Sequence, residues 1–342
     1  MLTPPDPAPP DPAPSDPAPS DPAVAEVHRW VEMYRWMAMS RAIEDRLARL
    51  HLEGAMRGRL ISGRGQEAIP VGAAMALARG DVAAPVHRDL GVHLVRGTSP
   101  TTILRHYLGR ATGPSRGRDG DIHMGEWQHG VFPMVSHLPD SWPVACGVAL
   151  GMRLGGEPNV VMAFCGDGAT STGTWHESMN FAAVFDLPMV LVVENNQYAY
   201  STPTSRQYRV ARLADRSAAY GMEGLQIDGN DVVAVYRAAR DAVARARAGA
   251  GPTMIEALTM RIDGHAVHDA AEYVPAELLA TWKARDPIAG LRARLVSMGV
   301  APGDLAAIDA ALADEVAAAA RTARADPEPT PGDDGPSVYA MG

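Results

Sequence analysis

Cysteine is scarce: the 342 residues hold only Cys146 and Cys165, each inside an apolar stretch. A disulfide scaffold is thereby disfavoured, and two buried thiols in a reducing cytoplasm are expected. Positive charge is also in short supply, with 31 Lys and Arg against 40 Asp and Glu and a formal net charge of −9. That balance argues against a basic face for a nucleic-acid backbone, so local arginines should serve something small. Runs of ~18 apolar residues are missing, as is a basic start followed by an apolar segment. A soluble cytoplasmic protein with no membrane span is the expectation.

The length exceeds the ~100–200 residues of an ordinary single core, which suits one large domain with flanking extensions. Residues 1–23 repeat Pro-Asp-Pro-Ala, a composition that denies backbone donors and lacks apolar bulk. They read as a disordered tail, with the domain over 24–325 and a second, flexible tail over 326–342, whose closing Val-Tyr-Ala has docking on a partner as its lesser reading. Apolar residues at helical spacing (Val27, Trp30, Val31, Tyr34, Ile43, Leu47, Leu50) predict a long amphipathic helix from Val24 to Glu53. Another, Ala-rich helix is expected near Asp304 to Arg324. From Gly109 to Pro143 there is little sustained periodicity, the kind of irregular stretch that often carries function. Beyond it, apolar runs such as NVVMAF, PMVLVVE and PTMIEAL alternate with helical segments. The fold class expected is α/β, a mostly parallel sheet with helices on both faces.

NVVMAF runs into Cys165-Gly166-Asp167-Gly168-Ala169-Thr170, and a helix is expected from about Thr174. Ligands of open parallel sheets bind at the carboxyl ends of strands, near helix N-termini. Gly166, Gly168 and Gly173 follow G-x-G-x4-G and not the dinucleotide pattern G-x-G-x-x-G, and Asp167 would repel a bare pyrophosphate. A magnesium ion reverses that sign, because it takes oxygen ligands and bridges carboxylates to phosphates. PMVLVVE ends in Glu194-Asn195-Asn196-Gln197-Tyr198, so Asn196 and the Tyr198 carbonyl should join Asp167 at neighbouring strand ends. Taken singly, Gly-Asp-Gly and Asn-Asn are ordinary turn signals. Together, in this context, they are far more specific.

These residues, with GRGQEAIPVGAAMAL, AYGMEGLQIDGNDVVAVY and GPTMIEALTMRIDGH, resemble the alpha subunit of the E1 component of 2-oxo acid dehydrogenase complexes, over about Val27 to Leu295. The relatives include pyruvate, branched-chain 2-oxo acid and acetoin dehydrogenases. The resemblance implies a thiamine-diphosphate-binding fold with the cofactors thiamine diphosphate and Mg²⁺. By similarity, Asp167, Asn196 and Tyr198 hold the metal, and Gly166, Gly168 and Ala169 form the loop beside the diphosphate. Arg88 and Arg261 contact the diphosphate, with His87 alongside, and Ser136 and Leu138 lie near the thiazolium and aminopyrimidine. His265 matches the active-site loop histidine and is the catalytic candidate. Forked guanidinium donors suit phosphate oxygens, and a histidine exchanges protons near neutrality.

The chain departs from the family at four places. His87 stands where Tyr is frequent, His137 where Pro is usual, and Thr172 where an acid or amide is common. Ala266 follows His265 where animal enzymes carry a phosphorylatable serine, so that control is absent at this position. His93, His123, His129, His176 and His268 show no zinc-like spacing with cysteine and read as loop or packing residues. The resemblance further implies oxidative decarboxylation of pyruvate or a branched-chain 2-oxo acid, with acyl transfer to a lipoyl-bearing E2 acyltransferase. It also implies an E1 beta subunit in an α2β2 heterotetramer, which supplies the activating glutamate, so the chain alone should be inactive. An acetoin dehydrogenase E1 alpha subunit and a non-catalytic cofactor-binding subunit are the alternatives. A plain nucleotide-binding domain is disfavoured by the glycine spacing.

Overall fold

The computed structural model describes residues 21–330 apart from Arg57. In chain order the elements are α1 (Pro22–Leu52), α2 (Ala68–Ala74), β1 (Val82–Ala84), α3 (Leu90–Arg96), α4 (Pro100–Tyr107), α5 (Ser141–Leu154), β2 (Val161–Gly166), α6 (Gly173–Val184) and β3 (Met189–Asn195). They continue with β4 (Tyr198–Ala199), β5 (Thr202–Pro203), β6 (Glu223–Asp228), α7 (Val232–Arg247), β7 (Thr253–Leu258), α8 (Ala276–Lys283), α9 (Pro287–Ser297) and α10 (Pro302–Ala325).

The apolar runs become strands because their side chains are wanted on both faces. Along β2, Val161, Ala163 and Cys165 pack with Trp142, Trp175 and Met179 of α5 and α6. Met162 and Phe164 point the other way, into a core with Ile69 of α2 and Val235, Ala239 and Val243 of α7. Burial on both sides explains why the sequence shows continuous apolar runs and no alternation. Among the described residues the strands form a parallel sheet in the order β1-β2-β3-β7-β6, beside a small antiparallel pair, β4-β5. The expected α/β layering is therefore present. Cys146 and Cys165 are free and buried, and burial raises both thiols, Cys146 to about 12.

The long first helix begins two residues earlier than its apolar spacing implied, at Pro22, because Asp21 caps it by accepting from Ala23 N–H at 2.8 Å. The rest of the first tail, 1–20, and residues 331–342 of the second lie outside the described residues. Residues 326–330 rest against α4 and the segment after it: the Asp326 carboxylate accepts from Arg105 and from Thr112 Oγ1 at 2.7 Å, and Ala111 N–H donates to Pro327 O at 3.0 Å. No described helix is long and apolar enough to cross a membrane.

Candidate functional site

Parallel pairing sets Gly166 of β2 opposite Glu194 of β3, so the residues just past each strand emerge side by side. Asp167 is 1 % exposed, starts a turn closed by Thr170 Oγ1 donating to Asp167 O at 2.7 Å, and takes Gln207 Nε2 on Oδ2 at 2.7 Å. Gly168 is obligatory here, since an added Cβ would stand 2.6 Å from that of Ala199. Ala169 is buried and its carbonyl accepts from Thr172 Oγ1 at 2.9 Å. Thr172 in turn caps α6, accepting from Trp175 N–H at 3.2 Å. That capping role accounts for a hydroxyl residue at this departure from the family pattern.

After β3 the chain reverses at Gln197, whose φ of 72° lies in the left-handed region. The reversal folds the Tyr198 carbonyl back toward Asn196. Asn195 is a brace: its Nδ2 donates to Glu256 Oε1 at 2.7 Å on the neighbouring β7, while its Oδ1 accepts Gln197 N–H at 3.1 Å. Asn196 is held differently, with Nδ2 on Gln66 Oε1 at 3.0 Å. Its Oδ1 then stands 3.0 Å from Tyr198 O and 3.2 Å from Asp167 Oδ1. Three oxygens so close repel one another unless a proton or a cation lies among them. Turning the Asn196 amide over, with that of Gln66, supplies the protons, by donation from Nδ2 to Tyr198 O and to Asp167 Oδ1. A divalent cation supplies the alternative and leaves the amide as placed. Among the described residues no three His, Cys, Asp or Glu side chains gather as a metal cluster, so the donor set is one carboxylate with two neutral oxygens. Burial raises the Asp167 carboxyl to about 6 despite Gln207. A bound cation would restore its charged form.

Facing these oxygens are two arginines from distant loops. Arg88 follows β1 and Arg261 follows β7; they are 4 % and 2 % exposed. Arg88 Nη2 donates to His265 O at 2.9 Å and Nη1 lies 2.5 Å from His87 Nε2. Arg261 Nη2 donates to Tyr200 O and, at 2.5 Å, to Tyr273 Oη, and Nη1 is 3.4 Å from His265 Nδ1. Both Nε atoms are buried without a partner. Burial, then Arg261, lowers the Arg88 guanidinium to about 10. Two buried guanidiniums whose hydrogen-bond partners are neutral, one of them depressed by the other, leave an unmet demand for an anion. His265 is lowered to about 4 by burial and then by Arg88 and Arg261, and so is neutral at pH 7. Its loop is pinned on Asp269, which accepts from His265 N–H at 2.6 Å and Tyr273 Oη at 2.5 Å. Ala266, where the family pattern has a serine in animal enzymes, is buried.

Thus Asp167, Asn196 and Tyr198 meet at one wall, and Arg88, His87, Arg261 and His265 at another. Gly166 has open space around its Cα. Ser136 is exposed on the loop before α5, with Oγ 2.6 Å from His123 Nε2, and Leu138 is half-buried against the cores on both sheet faces. Sequence reasoning passes over several contributors. Gln66 reaches Asn196 from the Gly63–Gln66 loop; Glu44 anchors that loop by accepting Gly63 N–H at 2.9 Å, and Glu67 by accepting Gly65 N–H at 3.0 Å. Asp89 and Glu194 form a buried carboxyl pair, both raised chiefly by burial, that shares a proton beneath Arg88. The segment GRGQEA is the one available signal for Gln66 and Glu67, and its resemblance to the family assigns its residues no roles.

Residues 34–332 match the family described as Dehydrogenase E1 component. The chain is 39 % identical over 283 residues to the 3-methyl-2-oxobutanoate dehydrogenase subunit alpha of Mycobacterium tuberculosis, covering 80 % of this chain and 72 % of that one. It is 36 % identical over 301 residues to the pyruvate dehydrogenase E1 component subunit alpha of Rhizobium meliloti, covering 87 % and 86 %. With the alpha subunit of acetoin:2,6-dichlorophenolindophenol oxidoreductase from Bacillus subtilis the identity is 38 % over 241 residues, covering 70 % and 72 %. The chain belongs to the dehydrogenase E1 component family, on its alpha-subunit side.

Proposed function

We infer that the chain is the E1 alpha subunit of a 2-oxo acid dehydrogenase complex, which holds magnesium and thiamine diphosphate for the decarboxylation of pyruvate or a branched-chain 2-oxo acid. One observation carries the reading: the Asp167, Asn196 and Tyr198 oxygens, which a cation could bridge, adjoin two buried guanidiniums whose Nε atoms lack partners. A magnesium diphosphate meets both demands at once. Asp167, Asn196 and the Tyr198 carbonyl would hold the metal, with Gly166, Gly168 and Ala169 giving the diphosphate close approach. Arg88 and Arg261 would take its oxygens, and His265, neutral between them, is able to donate or accept at a phosphate or substrate oxygen. When bound, thiamine diphosphate supplies the carbanion that the protein lacks.

A beta subunit would complete the site in an α2β2 assembly, and a lipoyl-bearing E2 protein would take the acyl group. A cytoplasmic location accords with that role. Cleavage of acetoin is the second reading, favoured by the 38 % identity to the acetoin enzyme's alpha subunit. Co-expression with a beta subunit, followed by assays on pyruvate, 3-methyl-2-oxobutanoate and acetoin, separates the readings by which substrate turns over. If none does, and Asp167→Ala leaves calorimetric binding of thiamine diphosphate with Mg²⁺ intact, the inference is wrong.

A further inference from the structure

Gln207, Tyr208 and Arg216 come from one irregular segment after β5, and each reaches a different point of the wall that carries Asp167 and Asn196. Gln207 Nε2 donates to Asp167 Oδ2 at 2.7 Å, and the Gln207 carbonyl accepts from Ser171 Oγ at 3.3 Å, so this residue grips the Asp167 turn by side chain and backbone. Tyr208 Oη accepts from Asn195 Nδ2 at 3.0 Å. Arg216 Nη1 donates to Thr170 O at 2.9 Å, and its guanidinium carbon lies 5.4 Å from the centre of the Tyr208 ring and 5.7 Å from that of Trp175. The segment thus fastens the ends of both strands that supply the oxygen cluster.

The Gln207 amide has one orientation. Its Nε2 faces two acceptors, the Asp167 carboxylate and Thr202 O at 2.9 Å, and an oxygen in that place would be repelled by both. The two N–H protons of Nε2 are spent on these bonds. Oε1 is buried and finds no donor in the protein, so the amide is held there at some cost to the fold. The consequence falls on Asp167, whose carboxylate is divided. Oδ2 is taken by a donor that cannot turn away without losing Thr202 as well, and Oδ1 is left toward the Asn196 amide, 3.2 Å from its Oδ1. A carboxylate so divided offers a cation one oxygen, not two. That number separates two common ions: Mg²⁺ takes a near-octahedral set at ~2.0–2.1 Å, whereas Ca²⁺ takes about six to eight oxygens at ~2.3–2.6 Å and accepts both oxygens of one carboxylate.

We propose that Gln207 is a positioning residue that restricts Asp167 to one coordinating oxygen and so makes the site select Mg²⁺ over Ca²⁺. The proposal rests on the function inferred above, since it needs a cation among the Asp167, Asn196 and Tyr198 oxygens. Gln207 acts through Asp167 and is no ligand itself. Tyr208 and Arg216 hold the segment and the Thr170 end of the turn, and so set where the carboxylate stands, not how many of its oxygens it offers.

The test is calorimetry of thiamine diphosphate on the protein assembled with its beta subunit, once with Mg²⁺ and once with Ca²⁺. Gln207→Met fills much the same space without a donor. Its affinity for the cofactor with Mg²⁺ should fall about 10–100-fold, as when the partner of a metal ligand is lost. With Ca²⁺, which can then use both Asp167 oxygens, the affinity should hold or rise. Gln207→Ala, which opens space and adds no group, should shift the preference the same way, and it decides the matter if the Met variant does not fold. Arg216→Met is the contrast: it loosens the turn without freeing Oδ2, so the affinities with the two ions should fall together. Equal losses with both ions in the Gln207 variants, a preference lost as far in Arg216→Met, or an unaltered assembly that binds equally well with either ion would overturn the proposal and leave the cofactor site standing. If the unaltered assembly binds the cofactor with neither ion, both inferences fall.

Discussion

Asp167, Asn196 and Tyr198 stand at the ends of two strands paired residue by residue, whereas Arg88, Arg261 and His265 reach the same space from loops after the sheet's edge strand and an inner one. The first wall is built by backbone register, and its polar groups have an internal remedy, since rotating the Asn196 and Gln66 amides together converts repulsion into hydrogen bonds. No such remedy exists at the second wall. Arg261 depresses the buried Arg88 guanidinium, and no rotation supplies a negative charge. The difference teaches where a ligand's free energy goes: at the strand ends it competes with hydrogen bonds already available, and at the loops it relieves a standing electrostatic cost.

The comparison breaks most sharply at Asp167. Asp167→Ala removes the only charged member of the oxygen cluster, so the affinity for thiamine diphosphate with Mg²⁺ should fall by more than about 100-fold, beyond what loss of an outer partner costs a metal site. Calorimetry on the assembled protein checks this, and a fall of less than about tenfold would remove the cluster from the binding site. Arg88→Gln sharpens the contrast. It should cost roughly 2–3 kcal/mol of diphosphate binding, as for other desolvated charge pairs, while the melting temperature without ligand holds within about 3 °C because a repulsion goes with the charge. A large drop in the unliganded melting temperature would mean that Arg88 stabilises the fold by itself.

Gly168 tests the first wall's geometry. In Gly168→Ala the new methyl meets the Ala199 Cβ at 2.6 Å, a clash of roughly 1–3 kcal/mol. Ala199→Gly should restore the denaturant midpoint, and if it does not, contact with β4 is not what demands glycine. Gly166 is the internal control. Open space surrounds it, so Gly166→Ala should leave stability unchanged and weaken only the ligand.

The two walls also differ in how far the sequence announces them. Strand, turn and strand end are readable because a parallel pair forces Gly166 and Glu194 together, and Asp167 and Asn196, just past them, must then converge. The two apolar faces of β2 are readable for the same local reason, as an unbroken apolar run. Arg88 and Arg261 are far apart in the chain and are named only through resemblance; nothing in their spacing says that both are buried. Gln207, 40 positions from Asp167, carries no local mark of its bond to that carboxylate. His123 reads as a packing residue because imidazoles are usually that, and its hydrogen bond with Ser136 depends on an irregular loop without periodicity. Buried acids are the least visible class, since an acidic side chain on a helix reads as solvated until the neighbouring elements are known.

Glu44 on α1 is such an acid, and its effect is read through pH. Enclosed behind the Gly63–Gln66 loop, its carboxyl is raised from 4.5 to about 8, by burial first and by Glu67 second. The folded protein therefore keeps a proton that the unfolded chain has lost, over the window from about 4.5 to about 8. Stability from this group is fully present below that window and declines as pH rises through it, by at most about 1.4 kcal/mol per pH unit. Glu44→Gln retains an acceptor for Gly63 N–H and has no proton to lose. Urea midpoints of the two proteins should lie close at pH 5 and separate in favour of the variant by pH 8, whereas a constant difference across that range would mean that Glu44 is charged in the fold.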